Sequence, residues 1–217
     1  MIVDLNIDGK TVIIIGGGNE AQKRINSIIK QNCHIIVISK EVNIVLEELI
    51  KTKKIKLKKE KIQNTKFISE FKPDIIITTT DDVKLNQKII NAAKRKKILV
   101  YSSDNPEESD FSNPAIIDFE RMIQIAIFTG GKSPAMARRI KEKSEKSLRK
   151  AISYEDIEKI KIQKIARKLA KESISTQIQR KEYLHSIMTD NEIDQLIKDG
   201  QVKKAEKRAI TILRNWK

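Results

Sequence analysis

Apolar residues in this chain fall into two alternating patterns. Short β-branched runs, which read as strands buried on both faces, are separated by stretches whose apolar residues recur every three or four positions. The strongest run is Thr11-Val12-Ile13-Ile14-Ile15. It follows an alternating stretch over residues 1–7 and a turn at Asp8-Gly9, and it leads into a helix over residues 19–30. Further strands are expected at 34–38, 54–57, 74–80 and 98–101, with 54–57 near an edge because lysines flank it. Helices at 41–51 (Val42, Val45, Leu46, Leu49), 67–71 and 83–94 (Leu85, Ile89, Ile90, Ala93) alternate with them. That pace predicts βαβ units and a parallel sheet.

The pattern changes after Ser102. Asp104-Asn105-Pro106 and Ser112-Asn113-Pro114 are loop signals. Two strands follow at 115–118 and 122–128, joined through Phe119-Glu120-Arg121, and then a helix over 134–150. From Tyr154 onward the spacing is helical only, at 155–171, 174–187, 190–199 and 201–215, with breaks at Thr189/Asp190 and Asp199-Gly200. The expected fold class is α/β. A Rossmann-like parallel sheet (1–113) is followed by a small β-strand dimerisation segment (114–150) and a helical C-terminal part (151–217). An isolated hairpin and bare helices promise no large core of their own, so homodimerisation through them is expected.

The turn after the first strand carries the chemistry. Gly16-x-Gly18-x-x-Ala21 is the dinucleotide fingerprint with its permitted final Ala. Gly16 allows the tight turn, Gly18 lets backbone approach a pyrophosphate, and Ala21 lets the helix lie close on the sheet. The anion would sit on free N–H groups at that helix's N-terminus. A tight strand-to-helix turn without a ligand is the alternative. Ligands of such sheets lie beyond the carboxyl ends of the strands. Residues 16–21, 39–41, 78–82 and 101–104 therefore converge on one crevice, with Thr79 and Thr80 on its wall. Glu41 could accept ribose hydroxyl protons, while Ser39 and Lys40 could equally hold a 2′-phosphate, so these residues leave NAD and NADP both open.

Charge adds less than its size suggests. The formal net charge is +15, with 20 Lys and Arg against 15 acids up to Asn113 and 24 against 14 beyond it. Such a field attracts nucleic acid, anionic membrane or a polyanionic small molecule. Aromatics make up only 4%, which leaves few stacking platforms for single-stranded nucleic acid. No apolar run approaches the roughly 20 residues of a bilayer span. The start of the chain, with Asp4 and Asp8, lacks the order of a signal peptide. Cys33 is the only cysteine, which fits a reducing cytoplasm and reads as packing. His34 and His185 lack metal-ligand spacing, so no metal site is expected.

A second Gly-rich turn, Thr129-Gly130-Gly131-Lys132-Ser133-Pro134, has two readings. Cap and turn chemistry explain most of it, with Ser133 capping a helix whose first residue is Pro134. The alternative is an anion site built from the Thr129 hydroxyl, the Gly130 and Gly131 N–H groups, Lys132, Ser133 and Arg138-Arg139. It does not match a Walker P-loop.

Four blocks carry a resemblance to a known family: Gly16-Gly17-Gly18-x-x-Ala21-x-Lys23-Arg24; Thr79-Thr80-Asp81-Asp82 with Asn86-Gln87; Asp104-Asn105-Pro106 with Phe111 and Pro114-Ala115-Ile116-Ile117-Asp118; and Ile125-Ala126-Ile127-x-Thr129-Gly130-Gly131-Lys132-Ser133-Pro134-x-x-Ala137-Arg138. In this order, over residues 1–150, the chain resembles the precorrin-2 dehydrogenases, which include the N-terminal part of sirohaem synthases. The resemblance implies NAD-dependent oxidation of precorrin-2 to sirohydrochlorin, a step toward sirohaem, and a dimerisation segment between the NAD-binding domain and the helical part, in keeping with the homodimer and the cytoplasm expected above. It places Asn19, Glu20, Lys40 and Glu41 at the nucleotide and Asp104 on the family's essential carboxylate. Thr129 falls where some members have a regulatory or substrate-facing Ser. Phe128 in place of a small residue, and Ser39-Lys40, depart from the pattern. The polycarboxylate substrate gives the basic C-terminal half a use, with Arg138 as a reasonable clamp.

Dehydrogenation sends a hydride to the nicotinamide and a proton to a base, and Asp104 at the crevice mouth is the candidate base. On turn statistics alone it would be a turn-forming Asp before Asn-Pro. Some relatives also insert a metal into sirohydrochlorin. A different class of reading is a nucleotide-sensing dimeric module, and a third is nucleic-acid binding, which would show steep salt dependence.

Overall fold

The computed structural model describes residues 2–216, so the part of the N-terminal alternation at Met1 lies outside it. The chain divides into two compact units, residues 1–113 and 114–217. Residues 114–150 and 151–217 thus share the second unit.

In the first unit, β1 (Thr11–Ile15), β2 (His34–Ser39), β3 (Lys56–Lys59), β4 (Ile75–Thr78) and β5 (Leu99–Ser102) form one parallel sheet in the order β3-β2-β1-β4-β5. Period-two alternation sends Ile13 and Ile15 to one face and Val12 and Ile14 to the other. On the first face they pack with α3 (Lys66–Phe71) and α4 (Val83–Arg95), through Phe67, Ile68, Leu85, Ile89 and Ile90. On the second they pack with α1 (Asn19–Ile28) and α2 (Ile44–Lys51), through Ala21, Ile25 and Leu46. Burial on both faces is why these strands read as unbroken apolar runs. Strand order reverses direction between β1 and β4, the point at which sheets of this kind bind ligands beyond the carboxyl ends of their strands.

Among the boundaries that move, three do so for a plain local reason. The helix expected from residue 41 starts at Ile44, because the Asn43 side chain accepts the Leu46 N–H and caps it there. The strand expected at 54–57 runs over 56–59, because Lys54 and Ile55 N–H groups bond back to the Leu49 carbonyl at the helix end. Asp74 stays outside β4 and accepts the Thr11 N–H at 2.9 Å, tying the amino ends of β4 and β1. Residues 2–7, despite their alternation, form neither helix nor strand, and of them only Ile7 is buried.

The second unit opens with the antiparallel hairpin of β6 (Ala115–Phe119) and β7 (Ile123–Ile127). Glu120 and Arg121 both take positive φ, and Met122 N–H closes the turn on the Phe119 carbonyl. This is the geometry usually given to Asn-Gly. Then come α5 (Pro134–Ala151), α6 (Tyr154–Ser173), α7 (Gln177–Met188), α8 (Asn191–Lys198) and α9 (Val202–Arg214). Contrary to expectation, α6 to α9 bury a core of their own, from Ile162 and Tyr183 to Leu213. Ala166, Ala170, Ala205 and Ala209 let these helices approach closely, and the buried Tyr183 hydroxyl donates to the Ala209 carbonyl at 3.0 Å. The hairpin packs with Leu148, Ile152 and Ile157, yet Ile116, Phe128, Met136 and Ile140 stay exposed in this unit.

Asp190 caps α8 at the Ile193 N–H and pairs bidentately with Arg208 of α9. Arg208 holds the Asp190 carboxyl below its usual range, against a smaller upward push from burial. A lowered folded-state value means stability that is present above the ordinary carboxylate range and lost as pH falls through it. Asp190→Asn, which keeps a capping oxygen but loses the charge, should cost about 1 kcal/mol in urea denaturation at pH 7. The gap to wild type should close as pH is lowered from about 5 toward 2.

Candidate functional site

The crevice is set by close approach of backbone. Gly16 has φ +113°, and a Cβ on it would lie 2.5 Å from Thr79 Oγ1 and 3.1 Å from the Thr79 carbonyl oxygen. Thr79 in turn bonds the end of β1 twice, its N–H at 2.9 Å and its hydroxyl at 2.8 Å from the Ile15 carbonyl. Gly17 is tighter still. Its Cβ would meet the Glu41 carbonyl at 2.1 Å and Ser39 Oγ at 2.9 Å, and its own carbonyl accepts the Asn43 N–H. Gly18 is the opposite case, exposed with open space where a Cβ would point. Gly16 and Gly17 are therefore required by close packing of backbone, and Gly18 leaves room for a ligand.

Helix α1 has no side-chain cap at Gly18, so its first-turn N–H groups face the space beside that glycine. An uncapped N-terminus beside an open glycine suits a pyrophosphate. Ala21 is fully buried, as close helix–sheet packing requires. Asn19 accepts from Asn43 Nδ2 at 3.3 Å, which steadies the loop after β2.

Other expected contacts prove to be engaged within the protein. Glu20 pairs with Lys23 and Arg24. Burial pushes its carboxyl up, but the two cations together hold it below the usual range. Arg24 lies 4.8 Å over the Tyr101 ring, and Tyr101 packs on Phe111 with centroids 5.6 Å apart. Ser39 donates to the Glu41 carbonyl at 2.6 Å, and Lys40 lies 3.6 Å from the exposed Glu41 carboxylate. The Thr80 hydroxyl donates to Asn86 Oδ1, while Asn86 Nδ2 returns to the Thr80 carbonyl. Asn86 is buried and Asp82 caps α4, so these two residues shape the loop after β4. Gly17, Asn43 and Asn86 were absent from the sequence-based site. Gly17 and Asn86 stand in the motif blocks of the sequence without a site role there, and Asn43 carries no signal, since its partners Asn19 and Gly17 lie 24 and 26 residues away.

Asp104 follows β5 and is exposed. Its Oδ1 accepts from the buried Ser102 hydroxyl at 2.5 Å. The following segment folds back on β5: Ser109 Oγ accepts the Ser102 N–H, and Asp110 exchanges two hydrogen bonds with Val100. Asp104 thus stands on a fixed loop at the carboxyl edge of the sheet.

The second Gly-rich turn lies in the second unit, after β7. Its hydroxyls serve the turn itself. Thr129 Oγ1 accepts the Ser133 N–H and donates to the Ser133 carbonyl, and Ser133 Oγ caps α5 at Met136. Gly130 and Gly131 take φ of +65° and +77°, with nothing near either Cβ direction. Lys132 and Arg138 are exposed, and Arg138 pairs with Glu142. Among the described residues, no group of three or more His, Cys, Asp or Glu could hold a metal ion. No helix among them is long and apolar enough to cross a membrane.

The family model described as "Putative NAD(P)-binding" matches residues 3–115, just over half the chain and the part that holds this crevice. The chain belongs to this NAD(P)-binding family. It is also similar to the siroheme synthase of Mannheimia succiniciproducens, 26% identical over 207 residues, which cover 95% of this chain and 41% of that protein. The siroheme biosynthesis protein met8 of Schizosaccharomyces pombe is 32% identical over 154 residues, 70% of this chain and 57% of that one. The chain thus spans 29–42% of the length of the siroheme synthases it matches. Among solved structures, "SirC, precorrin-2 dehydrogenase" has the same fold, with a TM-score of 0.72 and 21% identity over 97% of this chain and 99% of that one. The expected α/β fold with a small hairpin and a helical C-terminal part agrees with that neighbour.

The glycines separate by experiment. Gly18→Ala should change stability by less than about 0.5 kcal/mol while weakening NAD binding at least tenfold in calorimetric titration. Gly17→Ala should lose more than about 2 kcal/mol in chemical denaturation. Unchanged NAD affinity in Gly18→Ala would remove the phosphate from this loop.

Proposed function

We propose that this chain is an NAD-dependent precorrin-2 dehydrogenase acting in sirohaem biosynthesis. The observation that carries the reading is Asp104, an anchored carboxylate at the carboxyl end of β5, on the same edge of the sheet as the glycine loop. The names of the siroheme synthase and met8 relatives support the substrate class.

In this reading Gly16, Gly18, Asn19 and Glu20 form the nucleotide loop. Ser39, Lys40 and Glu41 border the ribose, and Thr79 and Thr80 form the wall between loop and substrate. When bound, NAD supplies the hydride acceptor. Asp104 accepts the proton that leaves as the substrate loses its hydride, so one C–H pair of electrons leaves with the hydride and the ring system gains a double bond. The fixed loop over 102–110 keeps that carboxylate at the sheet edge without cost in reorganisation at the moment of transfer. The turn of Thr129, Gly130, Gly131, Lys132 and Ser133, with Arg138, receives substrate carboxylates. Since its hydroxyls are engaged, it would do so through N–H groups and cations. Residues 114–150 form the dimerisation segment, through the apolar surface at Ile116, Phe128, Met136 and Ile140, and 151–217 the helical domain. A cytoplasmic location is part of this reading, and the free Cys33 is compatible with a reducing compartment.

The deciding experiment is anaerobic oxidation of freshly generated precorrin-2, read as NAD-dependent sirohydrochlorin formation. Wild type should turn over, and Asp104→Ala should lose at least a hundredfold in kcat while keeping NAD affinity, as removal of a general base does. No turnover by wild type with tight NAD binding would move the assignment to a nucleotide-sensing module. Metal insertion into sirohydrochlorin without NAD, assayed alongside, separates a pure dehydrogenase from a bifunctional one. Phe128→Glu should shift the sedimentation coefficient from dimer to monomer; an unchanged value would place the dimer contact elsewhere.

A further inference from the structure

We infer that Ser102 is a positioning residue for Asp104, backed by Thr78 in a two-hydroxyl relay that runs out of the core of the sheet. The inference rests on the reading of Asp104 as proton acceptor. Thr78 is the last residue of β4 and Ser102 the last of β5, and the parallel register sets them side by side. Both are fully buried, on strands otherwise occupied by apolar side chains. Their hydroxyl oxygens are 2.6 Å apart. A buried hydroxyl pair costs stability unless both are satisfied, so it needs a reason to be here.

Proton counting gives the direction. An ionised carboxylate only accepts, so at 2.5 Å the Ser102 proton must go to Asp104 Oδ1. Having given its one proton away, Ser102 Oγ accepts, and Thr78 must donate to it. The relay is therefore oriented toward the carboxylate, and each bond polarises the next. It fixes Oδ1 in one place and leaves Oδ2 as the oxygen available to take a proton. Ser102 itself is locked by backbone, since its N–H donates to Ser109 Oγ at 2.9 Å and the Ser103 N–H donates to the Thr78 carbonyl.

The test compares Ser102→Ala, Ser102→Cys and Ser102→Thr with wild type for kcat, KM and NAD affinity, and includes Asp104→Asn. Loss of a charge-assisted hydrogen bond should lower kcat of Ser102→Ala at least about tenfold with KM and NAD affinity unchanged. Ser102→Thr, which keeps the hydroxyl, should recover to within about threefold. Turnover of Ser102→Ala within twofold of wild type overturns the inference, as does a fall in kcat matched by an equal loss of NAD binding. Should Ser102→Ala not fold, Ser102→Cys fills the same space with a weak donor, and the same limits apply to it. A crystal structure of the variant gives a readout independent of turnover, because Asp104 should leave its present orientation; an unmoved carboxylate overturns the inference. Normal turnover by Asp104→Asn would instead defeat the reading of Asp104 itself, whereas an inactive Asp104→Asn beside a normal Ser102→Ala defeats the relay alone.

Discussion

Thr79 lies so close to Gly16 that only hydrogen can occupy the space between them, and the crevice depends on this approach. Through it the carboxyl ends of β1 and β4 meet at the point where strand order reverses, and Ile15 accepts both the N–H and the hydroxyl of Thr79. The preceding residue, Thr78, looks the other way and touches β5. Thr78 at the end of β4 and Thr79 just after it thus connect the glycine loop on one side with the support of Asp104 on the other. Displacing β4 by even a fraction of an ångström would be felt at both, because packed cores transmit strain rather than absorb it.

Electrostatics divides the same crevice. At the N-terminus of α1 the uncapped N–H groups attract negative charge, and a free glutamate there would compete with a phosphate. Glu20 is kept from competing by its pairs with Lys23 and Arg24, and Arg24 is itself held against Tyr101. At the far end the charge is reversed, and the exposed carboxylate of Asp104 is held from behind by neutral hydroxyls. The site therefore has an electropositive end built from backbone and an electronegative end built from one side chain.

The order of strands and helices was legible because burial on two faces leaves unbroken β-branched runs, as at Val12 to Ile15 and Ile35 to Ile38. The glycine fingerprint was legible because its function is backbone geometry. What the sequence could not show is whose hydrogen bonds each polar residue makes. Thr80 and Asn86 satisfy one another, Thr129 closes its own turn on Ser133, and Ser39 bonds the Glu41 carbonyl. Each has the composition of a ligand-binding group and the partners of a structural one. Nor was the self-sufficient core of α6 to α9 legible, since its close contacts depend on alanines, which carry little periodic signal.

The fold-back after β5 has a consequence beyond the site. The outward backbone groups of Val100 are taken by Asp110, and the Ser102 N–H by Ser109. At the opposite edge β3 carries the exposed Lys56 and Lys59, whose like charges repel a second copy of that strand, while Lys58 is paired with Glu60 and Glu70. One margin of the sheet is occupied and the other carries charge, two ways in which an edge is kept from pairing with a strand of another chain. The first unit in this way resists growth by edge addition at both margins.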